Sequence, residues 1–375
     1  MGGGSATGGG SATGGGSATG GGSGTGGGSA AGGGSGTGGG TPGVPGQILW
    51  RQTIEPVAQS YPVIYSQFTA GANWVAIDAA GNVAVAGMTM EARTHVWLSK
   101  LSPTGAVLWT VIDEAPELQV AQGPQDELFL ATNARIRRYS AEGTKTCEEA
   151  LEAETLGGLE VDATGTAWLL KLGPQGTAEY LSITPRCVLT NHPIVDASQK
   201  RLVVVNGAVV LAHDTDATLD IAAMPAASLP IPSNSFLPPG AGHVLATPTG
   251  YWSYVYDVLV TPAFVRVRRH DASGAIISEW AEDLGNVGSA QVSSPIAGAI
   301  AEVDGGVLVV GTTGSAQGYL ARLTGPTPLA TSWETVGGNA RLQTVAARNG
   351  IAYAAGYVQV GTSTSWTGVI LRFEY

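Results

Sequence analysis

The stretch Val75–Gly87, VAIDAAGNVAVAG, runs one short apolar segment into a turn (Asp78, Ala79, Ala80, Gly81, Asn82) and a second one out of it. Asp and Asn bond their own backbone in turns, and glycine supplies the positive φ a tight reversal needs, so the stretch reads as two antiparallel strands around a turn. The pattern returns at Gly158–Leu170 (GLEVDATGTAWLL), Ile300–Gly311 (IAEVDGGVLVVG) and Thr344–Gly356 (TVAARNGIAYAAG). More worn copies are Val120–Ala131, Ile194–Val205 and Leu245–Val255.

A second element follows each copy, first as Val96–Ile112, VWLSKLSPTGAVLWTVI. A strand ends in a basic–apolar pair, a turn follows, and a fourth strand starts near a tryptophan. The pair recurs as Lys100-Leu101, Arg138-Tyr139, Arg269-His270, Arg322-Leu323 and Arg372-Phe373. The turn glycine recurs as Gly105, Gly143 and Gly274, and the aromatic as Trp109, Trp280 and Trp333. Seven first turns, near Gly81, Asp126, Gly165, Lys200, Gly250, Gly305 and Gly350, lie about 45 residues apart. Four strands per unit at that spacing predict an all-β, seven-bladed β-propeller over residues 47–375, with four antiparallel strands per blade. The last unit stops at its third strand, VILRFEY (Val369–Tyr375), while the body opens with GQILWRQTI (Gly46–Ile54), matching the fourth-strand sequence Gly105–Ile112 with Trp50 at the place of Trp109. The N-terminal strand is therefore expected to close the last blade, against Val369–Phe373.

Residues 1–46 are a different material. They hold 25 of the 56 glycines, mostly as the repeat GGGSAT, and no charge precedes Arg51. With no apolar surface to offset ordering entropy, this segment is expected to be a disordered tether, spanning roughly 35–40 Å as a random coil. Met1 is followed directly by glycine, so no secretory leader is expected in this chain, and Ala6 breaks the myristoylation pattern. No apolar run approaches the ~18 residues of a membrane-spanning helix.

The net charge of −11 disfavours nonspecific nucleic-acid binding. Catalytic signatures are absent: no G-x-S-x-G, H-E-x-x-H, phosphate-cradling G-x-x-x-x-G-K-[ST] or C-x-x-C occurs. Three groups remain as candidate sites. Cys147 and Cys187 fall on neighbouring blades, so a disulfide between them is expected, closing a loop of about 40 residues. Asp214, Asp216 and Asp220 offer spaced oxygen ligands for Ca²⁺, with a solvated acidic loop as the plainer reading. Trp252, Tyr254 and Tyr256 share one strand face and could bind sugars or peptides, although packing between blades asks for the same residues. His270, in the place of the apolar Leu101, is expected to be a packed core residue. No other cofactor is expected.

The D-x-x-G-N-x-x-V-x-G turn at Asp78–Gly87 resembles bacterial extracellular β-propeller repeat proteins, and the glycine-rich spacer resembles those of surface lipoproteins. That resemblance implies an exported chain at the cell surface or outer membrane, otherwise periplasmic or extracellular. Its membrane link would be an N-terminal lipid anchor that this chain does not carry. The expected role is non-catalytic: a binding or scaffolding module for a surface ligand, protein or glycan. The alternative is a propeller enzyme, a lyase or glycan hydrolase, with converging carboxylates or histidines in a central channel.

Overall fold

The computed structural model describes residues 48–54, 70–90, 94–115, 118–152, 155–172, 178–194, 201–214, 219–223, 242–257, 264–283, 300–312, 318–324, 329–336, 340–359 and 366–375. These residues contain strands, turns and no helix. The tether 1–46 lies outside them.

The strands pair in seven antiparallel sheets. Sheet 1 comprises β2 (Ala70–Ile77), β3 (Val83–Met90), β4 (Thr94–Leu101) and β5 (Val107–Glu114). Sheet 2 comprises β6 (Gln119–Gln122), β7 (Leu128–Ala131), β8 (Arg135–Tyr139) and β9 (Lys145–Ala150). Sheet 3 comprises β10 (Thr155–Val161), β11 (Ala167–Leu172), β12 (Ala178–Ile183) and β13 (Leu189–Ile194). Sheet 4 has three described strands, β14 (Arg201–Val205), β15 (Ala208–Asp214) and β16 (Leu219–Ala223). Sheet 5 holds β17 (Gly242–Thr247), β18 (Gly250–Asp257), β19 (Phe264–Asp271) and β20 (Ile276–Asp283). Sheet 6 holds β21 (Ile300–Val303), β22 (Gly306–Thr312), β23 (Gly318–Thr324) and β24 (Leu329–Val336). Sheet 7 holds β25 (Ala340–Arg348), β26 (Ile351–Gln359) and β27 (Trp366–Glu374), and β1 (Ile48–Ile54) lies antiparallel to β27 with Trp50 opposite Arg372. That register matches Trp109 opposite Lys100.

The inner strands are buried on both faces because each sheet packs between two others. In sheet 1, Val75, Ile77, Val83, Val85 and Trp97 join Tyr353, Ala355 and Ile370 of sheet 7 in one apolar cluster. The residues alternating with them, Ala84, Ala86 and Leu98, join Val120, Leu128, Leu130 and Tyr139 of sheet 2. Shared clusters likewise join sheets 2 and 3, 4 and 5, 5 and 6, and 6 and 7. Between sheets 3 and 4 the inner strands β10 and β14 touch.

Two details depart from the sequence reading. The first turn of the fourth unit is Asn206-Gly207, not the region of Lys200: both residues take positive φ, 50° and 76°, as a two-residue hairpin turn demands. Ile194 therefore ends sheet 3 rather than opening sheet 4. The fourth-strand aromatics also differ in register. Trp109 and Trp50 sit opposite a third-strand base, whereas Trp280 sits opposite Val267 and Ser278 takes the place opposite Arg269.

The basic–apolar pair acquires a purpose. Lys100 ends β4 with its ammonium 2.8 Å from the Asp78 carboxylate, both side chains under 8% exposed, and donates to the Ala141 carbonyl of sheet 2 at 2.9 Å. Trp109 donates its indole N–H to the same carbonyl at 3.3 Å, with its ring so near Gly143 that a Cβ there would lie 2.7 Å away. Arg138 repeats the arrangement: it pairs with Glu127 at 3.4 Å and donates to the Pro185 carbonyl of sheet 3 at 3.0 Å. In sheet 6, Arg322 lies 5.9 Å from the ring of Tyr375 in sheet 7. Lys100 and Arg138 thus each close their own first turn while gripping the sheet that follows, whereas Arg269 stacks over Trp252 of its own sheet.

Burial alone would push the Asp78 carboxyl up, but hydrogen bonds from Lys100 and Asn82 outweigh it and hold the group below its usual range. That stability is present above the ordinary carboxylate pKa and is lost as pH falls through the lower folded value. Replacing Asp78 by Ala strands a buried ammonium and should cost about 3–5 kcal/mol in denaturant unfolding at pH 7. Asp78→Ala combined with Lys100→Met should recover most of that loss; a double variant as weak as the single would refute the pairing as the cause.

Candidate functional site

Cys147 lies on β9 opposite Arg138, the register place Trp109 holds in sheet 1. Cys187 sits in the turn before β13 with φ 65°, where the matching turns use Gly105, Gly143 and Gly274. The two are joined in a disulfide with Cα atoms 5.7 Å apart, stapling sheet 2 to sheet 3. The same pair of sheets is bridged by Arg138, and sheets 1 and 2 by a second ionic group. There Arg137 donates to Asp113 at 2.7 Å and to Glu148 at 3.3 Å, and Lys145 also pairs with Glu148. Hydrogen bonds from Lys145 and Arg135 bring the Glu148 carboxyl down to about 2. Glu148 draws all its partners from within sheet 2, and Asp113 of sheet 1 supplies the contact between the sheets.

Trp252 is 5% exposed and packs in the cluster between sheets 5 and 6, with the Arg269 guanidinium 6.0 Å from its ring centre. Tyr254 is half-buried against the same cluster. The Tyr256 side chain lies outside the described residues. His270 is buried: its Nδ1 donates to the Gly274 carbonyl at 3.0 Å, which leaves Nε2 to accept from the Ser253 hydroxyl at 2.8 Å. It is a satisfied core histidine. Of the three acidic positions, Asp214 stands opposite Leu219 and Asp220 opposite His213 in the β15–β16 ladder, and Asp216 lies outside the described residues. Among the described residues, no three His, Cys, Asp or Glu side chains could share a metal ion.

The group that sequence reasoning missed is on sheet 3. Leu159, Val161, Ala167, Leu169, Leu181 and Ile183 fill the seam with sheet 2. The alternating face carries Glu160 opposite Trp168, Trp168 opposite Ser182, and Tyr180 opposite His192. Ser182 bonds His192 Nε2 at 2.9 Å, and the Trp168 indole donates to Asp162 at 3.0 Å. This face turns toward β14, where the buried Leu202 alternates with residues of the sheet 4–sheet 5 cluster. Burial lifts the Glu160 carboxyl to about 8 and also raises the Tyr180 phenol. Period-2 alternation could have flagged it: GLEV sets one glutamate among apolar residues of an inner strand. Glu302, on the inner strand β21, is raised as well, again by burial alone. Among the described residues, neither glutamate is shifted by the other.

The sequence matches no family model and no curated protein. Among solved structures, the chain resembles the Pan2 WD40 domain of Neurospora crassa, at 9% identity over 83% of this chain and 91% of that one, with a TM-score of 0.50. The chain folds as a β-propeller. Further similar structures are the β-propeller domain of the Trilobed protease from Pyrococcus furiosus, at 10% identity over 77% of this propeller chain and 92% of that chain (TM-score 0.46), and the polysaccharide lyase Uly1, at 9% over 85% and 93% (TM-score 0.49). At such identities they speak to fold alone.

Two outcomes follow for the propeller. Glu160 binds its proton up to about pH 8 when folded and only to about 4.5 when unfolded, so stability falls as pH rises through that window. The slope is at most about 1.4 kcal/mol per pH unit. Glu160→Gln should therefore raise the melting temperature at pH 7–8 and leave it unchanged near pH 4; equal shifts at both would refute a buried acid. Cys147→Ser should lower stability by about 3–4 kcal/mol, and titration of the denatured, unreduced wild type should find no free thiol.

Proposed function

We propose that the chain is a seven-bladed propeller closed by its N-terminal strand, exported to the bacterial cell surface, where it acts as a non-catalytic binding or scaffolding module on a flexible glycine tether. The observation that carries this reading is the use of charged side chains. Lys100, Arg138, Arg137, Asp113 and Glu127 tie adjacent sheets or hold a residue that does. Ionisable groups spent in this way stiffen a frame instead of converging on a substrate. The Cys147–Cys187 disulfide is compatible with an oxidising compartment. The partner is a surface ligand, protein or glycan, and attachment to the membrane runs through a lipid upstream of the tether.

The test of function is binding of the full chain to glycan and peptide arrays, scored with a panel of glycan-cleavage assays. Retention of a ligand without cleavage supports the proposal; turnover of an arrayed glycan overturns it. Mass spectrometry of the N-terminus from native cells tests the anchor. Closure has its own test: removing residues 1–46 should leave the melting temperature unchanged, whereas removal through Ile54 should lower it sharply, because β27 then loses its outer neighbour.

A further inference from the structure

The disulfide between sheets 2 and 3 is chemically lopsided. Cys147 is 8% exposed and belongs to the apolar cluster that fills the seam, with Phe129, Leu181 and Ile183. Cys187 is half-buried at the margin of that cluster, in a turn where Pro185, Arg186 and Val188 are all exposed. A molecule arriving from solvent therefore meets the Cys187 sulphur first. Beside that sulphur, at 3.7 Å, stands a carboxylate oxygen of Glu149. A disulfide sulphur has no proton to donate, so the contact sets a negative charge against sulphur and is not a hydrogen bond. The nearby cations are committed elsewhere or screened. Arg138, opposite Cys147 in the ladder, is taken up by Glu127 and the Pro185 carbonyl, and Arg186 is exposed to water.

Thiol–disulfide exchange begins when a thiolate attacks one of the two sulphurs, and its rate depends on which sulphur can be reached and which must leave. Attack at Cys147 requires the reagent to enter the apolar cluster. Attack at Cys187 makes Cys147 the leaving sulphur, and an apolar cluster is a poor place to leave a negative charge. The turn around Cys187 also has bonds that do not depend on the crosslink. The Cys187 N–H donates to the Thr184 carbonyl at 2.9 Å, and the Val188 N–H donates to the Thr184 hydroxyl at 3.3 Å. These hold the two sulphurs close enough to rejoin after a first cut, so exchange here is slow and readily reversed.

We propose that Cys187 is the sulphur at which a small thiol enters this disulfide, and that Glu149 selects the entrant by charge, holding off anionic thiols. In the step, the electron pair of the thiolate forms a new S–S bond to Cys187. The Cys147–Cys187 bond breaks, and its pair leaves on the Cys147 sulphur, which takes a proton from water. Either Cys147 then expels the entrant, or a second molecule of the small thiol attacks the mixed disulfide, is oxidised with the first to their own disulfide, and frees Cys187.

The test is reduction of the folded full chain by cysteamine, mercaptoethanol and mercaptoethanesulfonate, which are cationic, neutral and anionic, at equal thiolate concentration. The readout is the rate of disulfide loss after acid quench and alkylation, taken where it rises in proportion to thiol, which excludes reduction through unfolded chains. Wild type should react fastest with cysteamine and slowest with the sulfonate. Glu149→Gln should speed the sulfonate by roughly three- to tenfold and narrow the spread among the three thiols. Glu149→Asp should preserve the spread. So should Asp304→Asn, which removes the same net charge from the first turn of sheet 6. Peptide mapping should place the mixed disulfide on Cys187. A spread unchanged by Glu149→Gln, one narrowed equally by Asp304→Asn, or an adduct on Cys147 would overturn the proposal. Should Glu149→Gln fail to fold, Glu149→Ser takes its place with the same outcomes.

Discussion

A base at the end of the third strand, reaching out of its own sheet into the next, is the constraint on which the rest of the structure depends. Lys100 shows it most fully. Its ammonium is buried, so it must have an anion within reach, and Asp78 can be that anion only because the turn around it is shaped by its own bonds to Asn82. The remaining N–H capacity goes to a carbonyl of the following sheet. Local turn chemistry, a buried ion pair and the packing of sheet on sheet thus become one interaction. Where the base changes to arginine the anion and the carbonyl change too, but the reach across the seam persists in Arg138.

The seams are otherwise apolar, and the exceptions stand out for that reason. Between sheets 2 and 3 the seam is aliphatic and stapled by a disulfide. On the opposite face of sheet 3 a glutamate, a tyrosine and a serine–histidine pair press toward sheet 4. A carboxyl kept protonated by its surroundings can pack there as a neutral group, which is why it is tolerated without a cation. The seams therefore respond to pH in opposite senses: the Glu160 face of sheet 3 loses stability as pH rises, and the Asp78–Lys100 pair loses it as pH falls.

Much of the fold was legible in single residues. Asp78, Gly81 and Asn82 announce a turn because only certain side chains bond or tolerate the backbone there, and Trp50 aligns with Trp109 because both fill the place opposite a third-strand base. The fourth unit was misplaced because the Asn206-Gly207 turn, a strong local signal, follows a stretch that resembled a worn hairpin. Trp280 and Trp333 looked equivalent to Trp109, but Trp280 lies six residues past its turn glycine where Trp109 lies four, and a bulge in β24 leaves Trp333 unpaired between Ser332 and Glu334.

The sequence by itself determined the repeat, the strand count of its best units, the cysteine positions and the glycine-rich N-terminus, because these follow from backbone preferences that each residue carries with it. The tertiary structure alone decided which side chains meet. That Lys100 grips Ala141, that Trp252 is spent on packing, and that Glu160 lies on the face of sheet 3 away from sheet 2 all depend on which face of a strand turns to which neighbour. Period-2 alternation leaves that choice open until sheet packs on sheet.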